Sequence, residues 1–120
     1  MIGRGCFLNR ETMIAAHELV EIGDHVMFAN HCFVGDADHR FDDPELPVTW
    51  QGFKPKGVVR IGDNAWLGKG VVVTGGVEIG EHSVIGANSV VTRDTPVWTI
   101  SAGAPAKVIR EIERAAPADG

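Results

Sequence analysis

The sequence predicts an all-β chain, a parallel β-helix assembled from six-residue steps, on three observations. Aliphatic residues recur at every sixth position, small residues recur four places behind each of them, and Gly-Asp, Gly-Glu and Gly-Ala pairs punctuate the intervals. The first column runs without a gap through Ile61, Leu67, Val73, Ile79, Ile85, Val91 and Val97, and the second through Ala65, Val71, Val77, Ser83, Ser89, Thr95 and Ser101. Because the offset between the columns is even, both face the same side of an extended strand. A helix of 3.6 residues per turn would smear either column around its cylinder, and helices avoid steps such as Gly62-Asp63, Gly80-Glu81 and Gly86-Ala87. Each hexad therefore reads as a very short strand followed by a bend. Such strands are stable only when successive coils stack and pair above and below, which makes one continuous apolar core.

Earlier hexads start at Ile2, Leu8 and Ile14, then at Ile22, Phe28 and Val34, with a two-residue slip around Val20-Glu21. A slip of two preserves the in/out alternation. From Arg40 to about Gly57 the repeat disappears, and FDDPELPVTWQGFKPKG carries Pro44, Pro47 and Pro55 with the aromatics Phe41, Trp50 and Phe53. A non-repeating stretch of this length is expected to be an extruded, functional loop, its aromatics docking on something. After Gly103 the chemistry turns helical, with Pro105 in a first turn and Val108, Ile109 and Ile112 on one side. The expected organisation is a β-helix over 1–104 with the loop 40–57 extruded, a short α-helix over 105–115 and a flexible tail over 116–120.

At 120 residues the chain is one domain, and a formal net charge of −5 argues against a nucleic-acid or anionic-membrane surface, which needs a clustered positive field. Small molecules and further copies of the chain are the expected partners. Met1 to Val20 holds no continuous apolar run, so neither a signal peptide nor a membrane span is expected there, and a cytoplasmic location follows as the default. Cys6 and Cys32 lack CxxC spacing and stand beside Phe7 and Phe33, as buried free thiols do.

The six-residue rule resembles the hexapeptide-repeat family. The resemblance sharpens toward its maltose, galactoside and related sugar O-acetyltransferases over Gly5 to Ile112, along DADHRF, IGDNAWLG, IGANSVVTRD and GAPAKVIREI. It implies a left-handed prism with three hexads per coil, a homotrimer with sites between subunits, acetyl-CoA as co-substrate and no metal. His39 matches the catalytic base. Attack of a sugar hydroxyl on a thioester needs the alcohol proton removed as the bond forms, and imidazole titrates near neutral pH. Asp36, Asp38, Asp42 and Asp43 stand close enough in sequence for any of them to orient that ring. For the acceptor, the resemblance implies Asn9, His17 (where the galactoside enzymes have Asp) and Trp66, whose indole would cover an acceptor ring or the pantetheine. For coenzyme A it implies Gly68, Lys69, Ala87, Thr92, Arg93 and Arg110, with the Lys69 backbone N–H as an oxyanion donor and the arginines meeting phosphates.

Three rivals share the pattern. A zinc-dependent carbonic anhydrase of the same coil needs an H-x4-H pair, which His17, His25, His31, His39 and His82 do not form. An N-acetyltransferase acting on an amino sugar differs only in the acceptor. A non-catalytic or shortened scaffold is the third, because Met1 falls on what reads as the middle of the repeat region, where relatives have preceding coils or a cap.

Overall fold

A computed structural model describes residues 1–116. The first coil carries β1 (Phe7–Leu8) and β2 (Met13–Ala15), and the second β3 (Val20–Ile22), β4 (Met27–Phe28) and β5 (Phe33–Gly35). β6 (Ala37–His39) and β7 (Phe53–Pro55) then form an arm. The third coil holds β8 (Val59–Ile61), β9 (Trp66–Leu67) and β10 (Val72–Val73), and the fourth β11 (Glu78–Ile79), β12 (Val84–Ile85) and β13 (Val90–Val91). β14 (Thr99–Gly103) and β15 (Ala106–Glu111) close the chain. The coils stack into three parallel faces: β3-β8-β11 in the first, β1-β4-β9-β12-β14 in the second and β2-β5-β10-β13 in the third. Single bridges from Ile2 to Ile22 and from Ile79 to Thr95 extend the first face at both ends.

The two columns explain this arrangement. Phe28, Val34, Ile61, Leu67, Val73, Ile79, Ile85 and Val91 are buried, and so are Val26, Ala65, Val71, Val77, Ser83 and Ser89 between them. A strand of two or three residues has almost no stability of its own. Here each strand is held by backbone bonds to the coils before and after it, such as Met27 N–H to Ala65 O at 2.9 Å and Trp66 N–H to Ser83 O at 2.9 Å. Corners close through left-handed residues, stacked in line: Gly5, His25, Asn64, His82 and Trp98 along one edge, Glu11, His31, Gly70 and Asn88 along another. Asn and His tolerate that conformation better than most side chains. From the second coil onward each such N–H donates to the coil before, as His82 does to Asp63 O at 2.9 Å and Asn88 to Lys69 O at 2.7 Å. Three of the five histidines (His25, His31 and His82) are thereby accounted for as corner residues. The glycine of the Gly-Asp step serves a different end: a Cβ on Gly62 would lie 2.5 Å from the Glu81 amide of the next coil.

The coil length changes twice, each time by two. Leu8 pairs with Phe28, twenty residues on, and Leu67 with Ile85, eighteen on, so the slip expected near Val20 is present. At the far end Ile85 pairs with Ser101, only sixteen on. This second slip moves Thr95 and Ser101 into the positions of Ile79 and Ile85, and Val97 is left half exposed on a turn. Val97 is thus not the seventh inward aliphatic residue that the spacing predicts; the rhythm ends at Val91.

The α-helix expected over 105–115 does not form. Ala106–Glu111 is a strand, antiparallel to β14 from Thr99↔Glu111 to Gly103↔Ala106. The grouping of Val108, Ile109 and Ile112 looked helical, but Val108 and Ile109 stay exposed, so no apolar face is buried to support a helix too short to stand alone. As a strand, the same segment covers the outer edge of β14 and satisfies its backbone groups. The tail expected over 116–120 falls, beyond residue 116, outside the described residues.

The stretch 40–57 belongs to an arm whose base is a short antiparallel ribbon of β6 with β7 and whose far part includes a 3-10 turn over Val48–Trp50. Phe41 and Trp50 are exposed. Asp36, at the root of the arm, is fully buried and ties three segments together. Its carboxylate accepts the backbone N–H groups of His17 (2.7 Å), Glu18 (2.7 Å) and Leu19 (2.8 Å), its own amide donates to Ala15 O, and its carbonyl accepts Lys56 N–H at 2.8 Å. Burial alone would raise its pKa; the amides of His17, Glu18, Leu19 and Asp36 itself outweigh that and hold the carboxyl below the usual carboxylate range. Both thiols are free. Cys32 is buried with its pKa pushed up by burial against weaker backbone hydrogen bonds, and Cys6 is half-buried. Among the described residues no helix is long and apolar enough to cross a membrane.

Two predictions follow from the packing. Thr95 Oγ1 is buried without a protein partner among the described residues, in a position equivalent to Ile79. Thr95→Val, which keeps the shape and removes the hydroxyl, is expected to raise stability by about 1 kcal/mol in urea denaturation; a lower midpoint would contradict the register. Asp36→Asn is expected to melt several degrees lower at pH 7. Because the folded pKa lies below the unfolded one, the carboxylate's stabilisation is complete above about pH 4 and is lost as pH falls further. The melting temperatures of variant and wild type should converge with acidification below that point, and a constant difference would count against the assignment.

Candidate active site

The arm brings together two residues that lie 14 positions apart in sequence. His39 and Phe53 are cross-strand partners in the ribbon, and their rings lie 4.6 Å apart at 31°. The corner of the preceding coil contributes His17, whose ring lies 4.2 Å from that of Phe53 at 44°. Phe53 thus touches two imidazoles, both of them sequence-predicted site residues. Of the arm's aromatics expected to dock on something, Phe53 packs on two rings of its own chain. Its only advance signal was its place among the arm's bulky residues.

None of the four aspartates considered as orienting groups makes a hydrogen bond or ion pair to His39 among the described residues. Asp36 is engaged by the 17–19 corner, with the His17 Nδ1 3.8 Å from its Oδ1. Asp38 faces Lys56 at 3.8 Å, Asp42 faces Arg40 at 3.3 Å, and Asp43 accepts the Glu45 amide at 2.9 Å. His39 is exposed, so its imidazole is open to an incoming hydroxyl.

The other expected residues fall in separate places. Asn9 sits at the corner between the second and third faces, its Oδ1 accepting the Arg10 amide at 2.7 Å, and is not beside His17, which lies at the corner leading to the first face. Trp66 projects from the second face, half exposed, and with His25, Met27 and Asn64 lines a cavity of about 370 Å³. Gly68 and Ala87 are stacked on adjacent coils so closely that a Cβ on Gly68 would lie 2.8 Å from the Ala87 amide. The amides of Gly68 and Gly70 donate to Ile85 and Asn30 carbonyls, while the Lys69 amide between them takes part in no backbone hydrogen bond among the described residues. Thr92 and Arg93 line a cleft of about 300 Å³ with Pro105, Ala106 and Lys107. Arg110 is outside that lining, exposed on β15 opposite Ile100. Lys107, which sequence reasoning passed over, is the second basic group at the cleft; the expectation of a helix there had hidden its strand neighbours. Among the described residues no group of three or more metal-ligating side chains is assembled.

Comparison with known proteins agrees with this architecture. Residues 59–93 match the family described as bacterial transferase hexapeptide (six repeats). A "probable acetyltransferase" of Mycobacterium tuberculosis is 43% identical over 103 residues, covering 86% of this chain and 34% of that protein. The galactoside O-acetyltransferase of Escherichia coli is 39% identical over 111 residues, covering 92% of this chain and 53% of that protein. The chain therefore spans between a third and about half of the length of these curated relatives. Among solved structures, the hexapeptide-repeat acetyltransferase of Vibrio cholerae superposes with a TM-score of 0.82 at 33% identity over 94% of this chain and 62% of that one. A second structure of it, complexed with acetyl coenzyme A, gives 0.72 at 26% identity, covering 94% of this chain and 71% of that one. A maltose O-acetyltransferase from Clostridium difficile superposes with a TM-score of 0.70 at 33% identity, over 94% of this chain and 70% of that one. With a third of positions shared along a common three-faced coil, the chain belongs to the hexapeptide-repeat acyltransferase family.

Proposed function

We propose that the protein is a CoA-dependent acyltransferase that moves an acetyl group from acetyl-CoA to a hydroxyl of a sugar or sugar-like acceptor. The observation that carries this reading is the exposed His39 imidazole, held against Phe53 beside His17 at the mouth of the arm. It is supported by relatives named for galactoside and maltose O-acetylation and by a structural neighbour complexed with acetyl coenzyme A. The superposition on that neighbour also favours the left hand of the family's prism.

In this mechanism His39 accepts the acceptor's hydroxyl proton as the oxygen attacks the thioester carbonyl. The tetrahedral oxyanion is met by the Lys69 amide, which has no backbone acceptor among the described residues. Collapse expels the CoA thiolate, which takes the proton from the imidazolium and leaves the O-acetyl product. Asn9, His17 and Trp66 bind the acceptor. Gly68 and Ala87 give the pantetheine arm a flat run of backbone, Thr92 and Arg93 hold it further along, and Arg93 with Arg110 supplies charge for the nucleotide phosphates. His39 stands on the arm and Trp66 on the second face of one copy, which suits a site shared between copies and a homotrimer closed by threefold symmetry.

His39→Ala is expected to lower CoA release from acetyl-CoA by a factor of about 10² to 10⁴ across a panel of sugars and amino sugars, with the sedimentation coefficient unchanged. Full activity in the variant would overturn the assignment, and preference for an amine over every alcohol would replace O- with N-acetylation.

A further inference from the structure

We infer that Phe53 is the positioning residue of the general base: its ring sets the His39 imidazole and couples it to the acceptor position at His17. The inference rests on the acyltransferase reading above and adds to it the part that a carboxylate plays in many His-dependent sites. No carboxylate among the described residues hydrogen-bonds or ion-pairs with His39, and its ring packs on that of Phe53 with centroids 4.6 Å apart.

Three features give Phe53 this role. The arm is joined to the prism by a ribbon only three residues long in each strand, a length that is marginal by itself. Its pairing therefore does not fix where His39 points relative to the coils. The root is fixed, because Asp36 binds both the 17–19 corner and the returning Lys56 amide, and Arg40 N–H closes on Gly52 O at 2.9 Å. Between root and imidazole the remaining link is aromatic: His17, whose backbone Asp36 holds, lies against one side of the Phe53 ring, and His39 lies against the ring from its place across the ribbon. Stacked and tilted ring contacts at these separations are attractive and directional. Phe53 is half exposed, and it touches both of the imidazoles that the proposed reaction uses.

The consequence is separable from simple stability. Removing the ring should misplace the base without removing either imidazole or the acetyl-CoA contacts. Phe53→Ala is expected to lower kcat by about tenfold to a hundredfold while KM for acetyl-CoA changes less than about threefold, since displacements near 1 Å are enough for such a loss. Phe53→Tyr, which keeps the ring, should restore kcat to within about threefold of wild type. A structural readout accompanies the kinetics. In proton NMR of the full chain, the ring C–H signals of His17 and His39 should both move downfield in the alanine variant as ring-current shielding is lost, with His25, His31 and His82 unmoved. Wild-type kcat in the alanine variant, failure of tyrosine to rescue, or unmoved His39 signals would each overturn the inference. Absence of CoA release from the wild-type protein would instead overturn the acyltransferase reading, and the NMR comparison would then still decide whether Phe53 orders the two imidazoles.

Discussion

Everything in this structure depends on coils of the chain stacking in register, so that each two- or three-residue strand finds its backbone partners in the coils above and below. No strand of this length is stable alone, and none of the inner side chains is large enough to make a core within one coil. Register converts a weak local pattern into a continuous column, in which Phe28, Leu67 and Ile85 lie one above the other with no solvent access. The corner residues serve the same end. Left-handed Asn64, His82 and Asn88 turn the chain, and each donates its amide to the previous coil.

Because alternation has a period of two, the prism tolerates changes of coil length only in even steps unless the chain leaves the surface altogether. Both kinds of change occur. The first and last coils slip by two and keep their inward residues inward. The arm between β5 and β8 instead departs at Gly35-Asp36 and returns at Lys56-Gly57, and the buried carboxylate of Asp36 holds both ends of that departure to the neighbouring corner. A fold made of repeats thus presents a non-repeating arm, and His39 stands on it. The proposed base thus stands where the register is interrupted, on a segment free of the packing that fixes the coils.

Much of this was legible in the sequence because burial and backbone pairing follow a fixed period. The aliphatic column from Ile61 to Val91, the slip near Val20, the small inward residues Ala65 and Ser83 and the excursion after His39 all follow from spacing and residue size. What was not legible depends on which of two local options tertiary contacts select. Val97 keeps the six-residue phase in sequence but loses it in space, because the coil is shortened between Val91 and Thr95. Residues 106–111 carry a grouping compatible with a helix, and only the open edge of β14 decides for a strand. At the candidate site, the family resemblance pointed to His39, His17 and the Gly68-Lys69 step, whereas the ring partner of His39 is an aromatic on the returning strand of the arm. No spacing rule places Phe53 against His17 and His39; the ribbon register does.

The central claim is that coil register and the Asp36 root place His39 where a thioester bound along the coils can be reached. It is tested most directly by a crystal structure of the protein with coenzyme A bound. The account predicts the pantetheine lying along the Gly68–Ala87 stack of one copy with its sulfur near the His39 imidazole of an adjacent copy, leaving room for an acceptor oxygen about 3 to 3.5 Å from the thioester carbon. Coenzyme A lying elsewhere on the prism, with every His39 turned to bulk solvent and remote from the thiol, would contradict it.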